Sequence, residues 1–130
     1  MRYIVEGSPV PLARVRFSDH HCWDSQKALK LRAHNEILIQ HGTLPKFTGA
    51  VQLHVTFFFC TPVSLSLKKR NLLLGKSHIA RPDLSNLIKF IEDVAIGILY
   101  DDDCIISEII ARKCYDTTPR TEFEIIQLER

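Results

Sequence analysis

A chain of 130 residues, 45% hydrophobic and 25% charged, has the composition of an ordinary globular domain, which excludes a disordered or fibrous chain. No apolar run approaches the roughly 18 residues that span a bilayer, and the opening MRYIVEGSPV has no apolar segment of signal-peptide length. The expectation is a single cytoplasmic domain over residues 1–130 with no membrane partner, and a net charge of +2 that by itself names no partner.

In chain order, RYIVE reads as a short strand, and GSPVPLARVRF follows as a Pro-interrupted basic loop carrying Arg14 and Arg16. HHCW reads as a surface loop, because the adjacent His20, His21 and Cys22 rarely point at one metal. A helix is predicted from Asp24 or Ser25, both good N-caps, to Gly42 as its C′ residue. VQLHVTFFF alternates, with Val51, Leu53, Val55, Phe57 and Phe59 on one face, and reads as a strand. Residues 61–81 read as loop with room for one helical turn, and the apolar residues of TFFF and NLLL read as core, the commoner fate, with an interface as the alternative.

The clearest element comes next. Leu84, Leu87, Ile88, Ile91, Val94, Ala95 and Ile98 recur at helical spacing as one apolar stripe. Pro82 and Asp83 stand at its start, Asp83 where an N-cap belongs. The opposite face holds Ser85, Lys89, Glu92 and Asp93. CIISEIIARKCY then reads as a strand, Asp116 to Pro119 as a turn, and RTEFEIIQL as a last strand with Phe123 and Ile125 facing away from Glu122 and Glu124. The order β, α, β, α, β, β closing on a hairpin indicates a small α+β domain. Cys22, Cys60, Cys104 and Cys114 are dispersed, with no C-x-x-C pair, which fits free and mostly buried thiols in a reducing compartment.

Between that helix and the strand lies LYDDDCII. Asp101, Asp102 and Asp103 repel one another, each pair about 4 Å apart costing about 1 kcal/mol even in water. One reading is a solvated turn, which Asp favours. The other is a cation site: carboxylates from the helix start at Asp83 and from this turn would suit magnesium, which keeps waters and takes phosphate oxygens as further ligands. Lys89, one turn past Ser85, would then meet a phosphate oxygen, although a helix cap for Asp83 and an i,i+4 pair with Asp93 for Lys89 are the plainer roles. Charge is segregated in the same region. Residues 61–82 carry Lys68, Lys69, Arg70, Lys76 and Arg81 with no acid, whereas residues 83–103 carry six acids against Lys89 alone. Such a juxtaposition suits a polyanion held near a cation, or else mutual neutralisation by weak surface ion pairs.

RPDLSNLIKFIEDVAIGILYDDDCII resembles the signature region of the RusA family of Holliday junction resolvases: Arg/Lys-Pro-Asp-x-Asp-Asn-x-x-Lys, a helix, then an aromatic-acid-Asp-Asp segment leading into a strand. PVPLARVRF resembles the family's Pro-rich basic opening, and ARKCYDTTPRTEFEI its closing hairpin, so the likeness spans nearly the whole chain. The resemblance implies a small mixed sheet of about four strands with two main helices, assembled as a homodimer whose two-fold axis matches a four-way junction. It implies magnesium-dependent hydrolysis of branched DNA by paired symmetric nicks, in recombination and repair. Asp83, Lys89 and Asp103 match the catalytic positions, and Asp83, Asp103, Asp102 and Ser85 the metal positions. Arg14, Arg16, Lys68, Lys69, Arg70, Lys76 and Arg81 would contact DNA phosphates. Ser85 stands where the motif has its second aspartate, which removes a charge and a strong oxygen ligand. Two outcomes follow from it: compensation by Asp102, Glu92 or Asp93, or a branched-DNA-binding protein with weakened or silent catalysis; apart from the resemblance, a small structural or protein-interaction domain with a solvated acidic turn is the third reading.

Overall fold

The most regular alternation in the chain forms the centre of the sheet. In the computed structural model, which describes residues 2–13, 16–18, 21–23 and 25–128, strand β4 (Val51–Cys60) lies between two neighbours. At 16–18 and 21–23 only the backbone is described, as the strands β2 (Arg16–Ser18) and β3 (His21–Trp23) of an antiparallel hairpin. Backbone pairing thus replaces the loop expected for RVRF and HHCW; Arg14, His20 and Asp24 lie outside the described residues, as do the side chains of Arg16, His21 and Cys22.

The main sheet has the order β1-β6-β4-β5, with β1 (Arg2–Glu6), β5 (Ile106–Asp116) and β6 (Arg120–Gln127). β5 runs parallel to β4, while β6 is antiparallel to both β4 and β1. The expected closing hairpin is therefore absent: β5 and β6 flank β4 instead of pairing with each other. Their burial explains it. β4 keeps Val51, Leu53, Val55 and Phe57 nearly solvent-free, as the centre of a sheet requires, whereas β5 spends an inward position on Lys113, opposite Phe57. The turn after Asp116 must then cross two inter-strand spacings, about 9.6 Å, within the roughly 13 Å that four extended residues span.

Three helices complete the α+β fold among the described residues: α1 (Lys27–His41), the short α2 (Leu67–Leu73) and α3 (Leu84–Val94). α1 ends at Gly42 as expected, φ being 63° and its N–H reaching Leu38 O at 2.9 Å. At its start the cap position falls on Gln26 instead of Asp24 or Ser25. That amide is committed elsewhere: Gln26 accepts the Ala13 N–H at 2.8 Å and donates to Pro11 O at 2.6 Å, tethering the Pro-rich loop.

Tyr3, Phe57, Leu87 and Phe123 anchor the core that α1 and α3 form on one face of the sheet. Burying such side chains is worth about 1.5–3 kcal/mol each relative to leaving them in water. The stripe read along α3 runs past the helix. The backbone leaves it after Val94, and Gly97, at φ 88°, turns the chain while Ile98, Leu99 and Tyr100 remain buried. A turn packed on the core carries the same apolar pattern as a helix there. NLLL departs from its core assignment, since α2 rides on the surface with Leu72 and Leu74 exposed. Of the three described thiols only Cys114 is buried; Cys60, at the strand end, and Cys104, in the acidic turn, are exposed.

Candidate active site

Two devices bring the acidic turn to α3. Gly97 donates its N–H to Tyr100 O at 2.8 Å, closing a tight loop, and the buried Tyr100 donates its hydroxyl to Glu92 O at 2.7 Å. Burial, then the negative charges of Glu92, Asp103 and Asp93, keeps that phenol far above its ordinary range and neutral. Asp103 is thereby brought within electrostatic reach of Glu92 and Asp93 near the end of α3.

Each of the three aspartates has a different environment. Asp101 is exposed and paired with Lys46 at 2.7 Å, before β4. Asp102 caps the single 3-10 turn Asp103–Ile105, its Oδ1 accepting the Cys104 N–H at 3.0 Å, and this bond holds its carboxyl below the usual range. Asp103 is half-buried. Desolvation raises its carboxyl above the usual range, and the hydrogen bond and charge of Asp102 and the charge of Asp93 add to that. Glu92 responds in the same way, raised first by burial and then by Asp103, with Lys89 opposing. Asp103, Glu92, Asp93 and Lys89 therefore form one electrostatic unit.

At the other end of α3, Asp83 occupies the N-cap position but makes no side-chain cap, so its carboxylate is not spent on the helix. Nor does Lys89 form an i,i+4 pair with Asp93, which pairs with Lys30 of α1 at 3.6 Å; among the described residues Lys89 has no ion pair. Ser85 is exposed, on the same side of the helix as Lys89. Nine residues of helix put Asp83 about 13 Å along the axis from Glu92, so α3 carries acids at both ends.

Lys113, to which the sequence reading gave no role, fixes the Asp83 end. From β5 its Nζ donates to Ala80 O at 2.6 Å and Pro82 O at 2.7 Å, the carbonyls just before Asp83; the Arg81–Pro82 peptide between them is cis. A lysine at an inward position of a strand, between Ala111 and Tyr115, was the available signal. His78 was missed as well. It stacks on Phe59 at 4.1 Å and meets Tyr115 at a tilt, 5.0 Å between ring centres, and its Nδ1 is buried with no hydrogen-bond partner among the described residues. Burial, then the Lys113 charge, pushes its pKa below the ordinary value.

The basic segment leads directly to Asp83. Lys68 and Lys69 on α2, then Lys76 and Arg81, are exposed, and none forms an ion pair among the described residues, so the neutralisation read as an alternative does not occur there. Arg70 is half-buried and donates to Thr61 Oγ1 at 3.0 Å, which fastens α2 to the end of β4. Arg14 and the Arg16 side chain lie outside the described residues.

These donors fit magnesium in one form only. No group of three or more His, Cys, Asp or Glu side chains that could enclose a metal occurs among the described residues, so a closed cage does not fit. Mutually repelling carboxylates beside α3 do fit a cation that uses one or two protein oxygens and completes its shell with water and phosphate.

Acids at both ends of one helix adjoin a run of cations that has no ion pair among the described residues, a charge pattern that suits a polyanion. The family comparison narrows that reading. Residues 6–126 match the family described as Endodeoxyribonuclease RusA, and the chain belongs to this family of endodeoxyribonucleases. It is also 25% identical over 134 residues to the Uncharacterized protein YqaN of Bacillus subtilis (strain 168), covering 96% of this chain and 94% of that protein. No helix among the described residues is long and apolar enough to cross a membrane.

Proposed function

We propose that this protein is a magnesium-dependent, structure-selective endodeoxyribonuclease that resolves four-way DNA junctions as a homodimer, by paired symmetric hydrolysis of phosphodiesters. The observation that carries the reading is Asp83. It sits at the head of α3 with no side-chain cap, and Lys68, Lys69, Lys76 and Arg81, which have no ion pair among the described residues, precede it.

In this account Asp83 and Ser85 at one end of α3, and Asp103 and Asp102 near the other, would supply oxygen donors for magnesium, and the two ends, about 13 Å apart along the helix, do not share one ion in this structure. When bound, magnesium polarises the scissile phosphate and lowers the pKa of the attacking water. Lys89 neutralises charge building on the phosphoryl oxygens. Glu92, coupled to Asp103, supplies negative charge that Ser85 does not. The basic segment positions the backbone without reading sequence, so binding weakens steeply with salt.

A second reading, a branched-DNA binder with silent catalysis, is favoured by Ser85 itself and by the lack of a three-carboxylate group among the described residues. Parallel binding and cleavage assays on a labelled junction separate the two readings, using the wild type, Asp83→Asn, Asp103→Asn and Ser85→Asp. Nicks in the wild type that vanish in both Asn variants, with binding retained, support the nuclease. Binding without nicks, and cleavage only in Ser85→Asp, supports the silent binder.

A further inference from the structure

β5 is an edge strand, and only half of its edge is covered. Along the C-terminal half the segment after α2 lies against it. Gly75 donates to Tyr115 O at 2.9 Å, Tyr115 donates to Lys76 O at 3.0 Å, and His78 donates to Lys113 O at 3.1 Å, around an antiparallel bridge between Ser77 and Cys114. Along the N-terminal half, from Ile106 to Arg112, no strand of the described residues lies outside β5. Ile109 and Ile110 are 44% and 53% exposed there. A bare strand edge with apolar side chains recruits another strand unless it is blocked, and no proline or bulge blocks this one between Gln52 and Cys60 of its partner's register.

The bonds on the covered half fix the direction of those on the bare half. Lys113 and Tyr115 direct their backbone groups outward, so by the two-residue period of a strand Ile109 and Ala111 do so too. Pairing with His54 and Thr56 of β4 places Ile110 and Arg112 on the helix-free face, and Glu108 shares it. The order Glu108, Ile110, Arg112 is an acid, an apolar residue and a base at even spacing. Reversed, it reads base, apolar, acid.

We propose that the bare half of β5 is a self-complementary docking edge for a second copy of this chain, paired antiparallel about a two-fold axis at Ile110. In that register Ile109 and Ala111 of opposite copies exchange both backbone hydrogen bonds, as their outward groups require. Ile110 meets its own counterpart, and Glu108 meets Arg112 of the second copy twice over. These side chains fall in the non-hydrogen-bonded positions, where facing Cα atoms are only about 4.5 Å apart. Centring the pairing on Ile109 or Ala111 instead sets a charge against Ile110. Arg112 has no ion pair among the described residues, and Glu108 accepts only the Gln52 amide at 3.3 Å, so both charges are available. The proposal deepens the homodimer of the proposed function by naming its surface, and it does not rest on the nuclease chemistry.

The test is sedimentation of the full chain as wild type, Glu108→Arg, Arg112→Glu, and an equimolar mixture of the two variants, with circular dichroism as the check on folding. The wild type is expected to be dimeric. Each variant alone sets like charges together and is expected to weaken dimerisation at least tenfold, whereas the mixture pairs Arg with Glu at both positions and recovers it. Recovery by the mixture also rules out misfolding as the cause of the loss. Variants that dimerise like the wild type overturn this edge while leaving a homodimer standing, and a mixture that stays monomeric overturns the register. A wild type monomeric throughout overturns both the edge and the dimer; junction cleavage by the same samples judges the nuclease reading separately.

Discussion

Replacing Lys113 with methionine keeps the apolar stem in its inward position and removes only the ammonium. That group donates to Ala80 O at 2.6 Å and Pro82 O at 2.7 Å. The bond to Ala80 is exposed and water replaces much of it, whereas the bond to Pro82 is partly buried. The loss therefore amounts to about one charge-assisted hydrogen bond, about 1.5–3 kcal/mol. Because the Pro82 carbonyl immediately precedes Asp83 and that of Ala80 lies two residues earlier, the same change loosens the head of α3. Urea unfolding of Lys113→Met should give a lower midpoint with an unchanged slope, and junction cleavage should slow while junction binding persists. A stability loss under about 0.5 kcal/mol together with wild-type cleavage would refute the view that β5 positions Asp83 through this lysine.

His78 makes stability pH-dependent. Its pKa is lowered in the folded state by burial and then by Lys113, so below the ordinary histidine value the unfolded chain binds the proton more readily. Stability is then complete above the unfolded pKa and is lost as pH falls below it, by at most about 1.4 kcal/mol per pH unit. Urea midpoints at pH 7.5 and 5.5 should fall further for the wild type than for His78→Phe, and equal falls would contradict this role. Leu87→Ala, at a position with 0% exposure on the buried face of α3, should cost about 2–5 kcal/mol in the same assay. Ser85→Asp should tighten divalent-cation binding measured by calorimetry, since it restores a ligand charge, and an unchanged affinity would place the cation away from Ser85.

Most of the fold was legible because it rests on periodicity. The alternation of β4 and the stripe of α3 are strong enough to place both elements, and Gly42 marks the end of α1, but the end of α3 was not legible because the stripe continues through Gly97 to Ile98. What was not legible depends on tertiary competition. Nothing local says that β5 and β6 separate around β4; that follows from which strand has the most completely apolar inward face. The same holds for Gln26, whose amide is taken by the Pro-rich loop, and for Lys113, whose partners are more than thirty residues away. At the site, residue types and spacing left Asp83, Lys89 and the acidic turn between ordinary surface roles and a cation site, and the family resemblance supplied the phosphate chemistry. The division of labour among Asp101, Asp102 and Asp103 required knowing where Lys46, Cys104 and α3 lie.

The central claim is tested most directly by incubating the wild-type protein with an end-labelled four-way junction and with a linear duplex of the same sequence, each with and without magnesium. The account predicts symmetric nicks in opposing strands of the junction, in magnesium only, and an intact duplex. Equal cutting of the duplex, or cutting of the junction that survives chelation of all divalent cations, would contradict it.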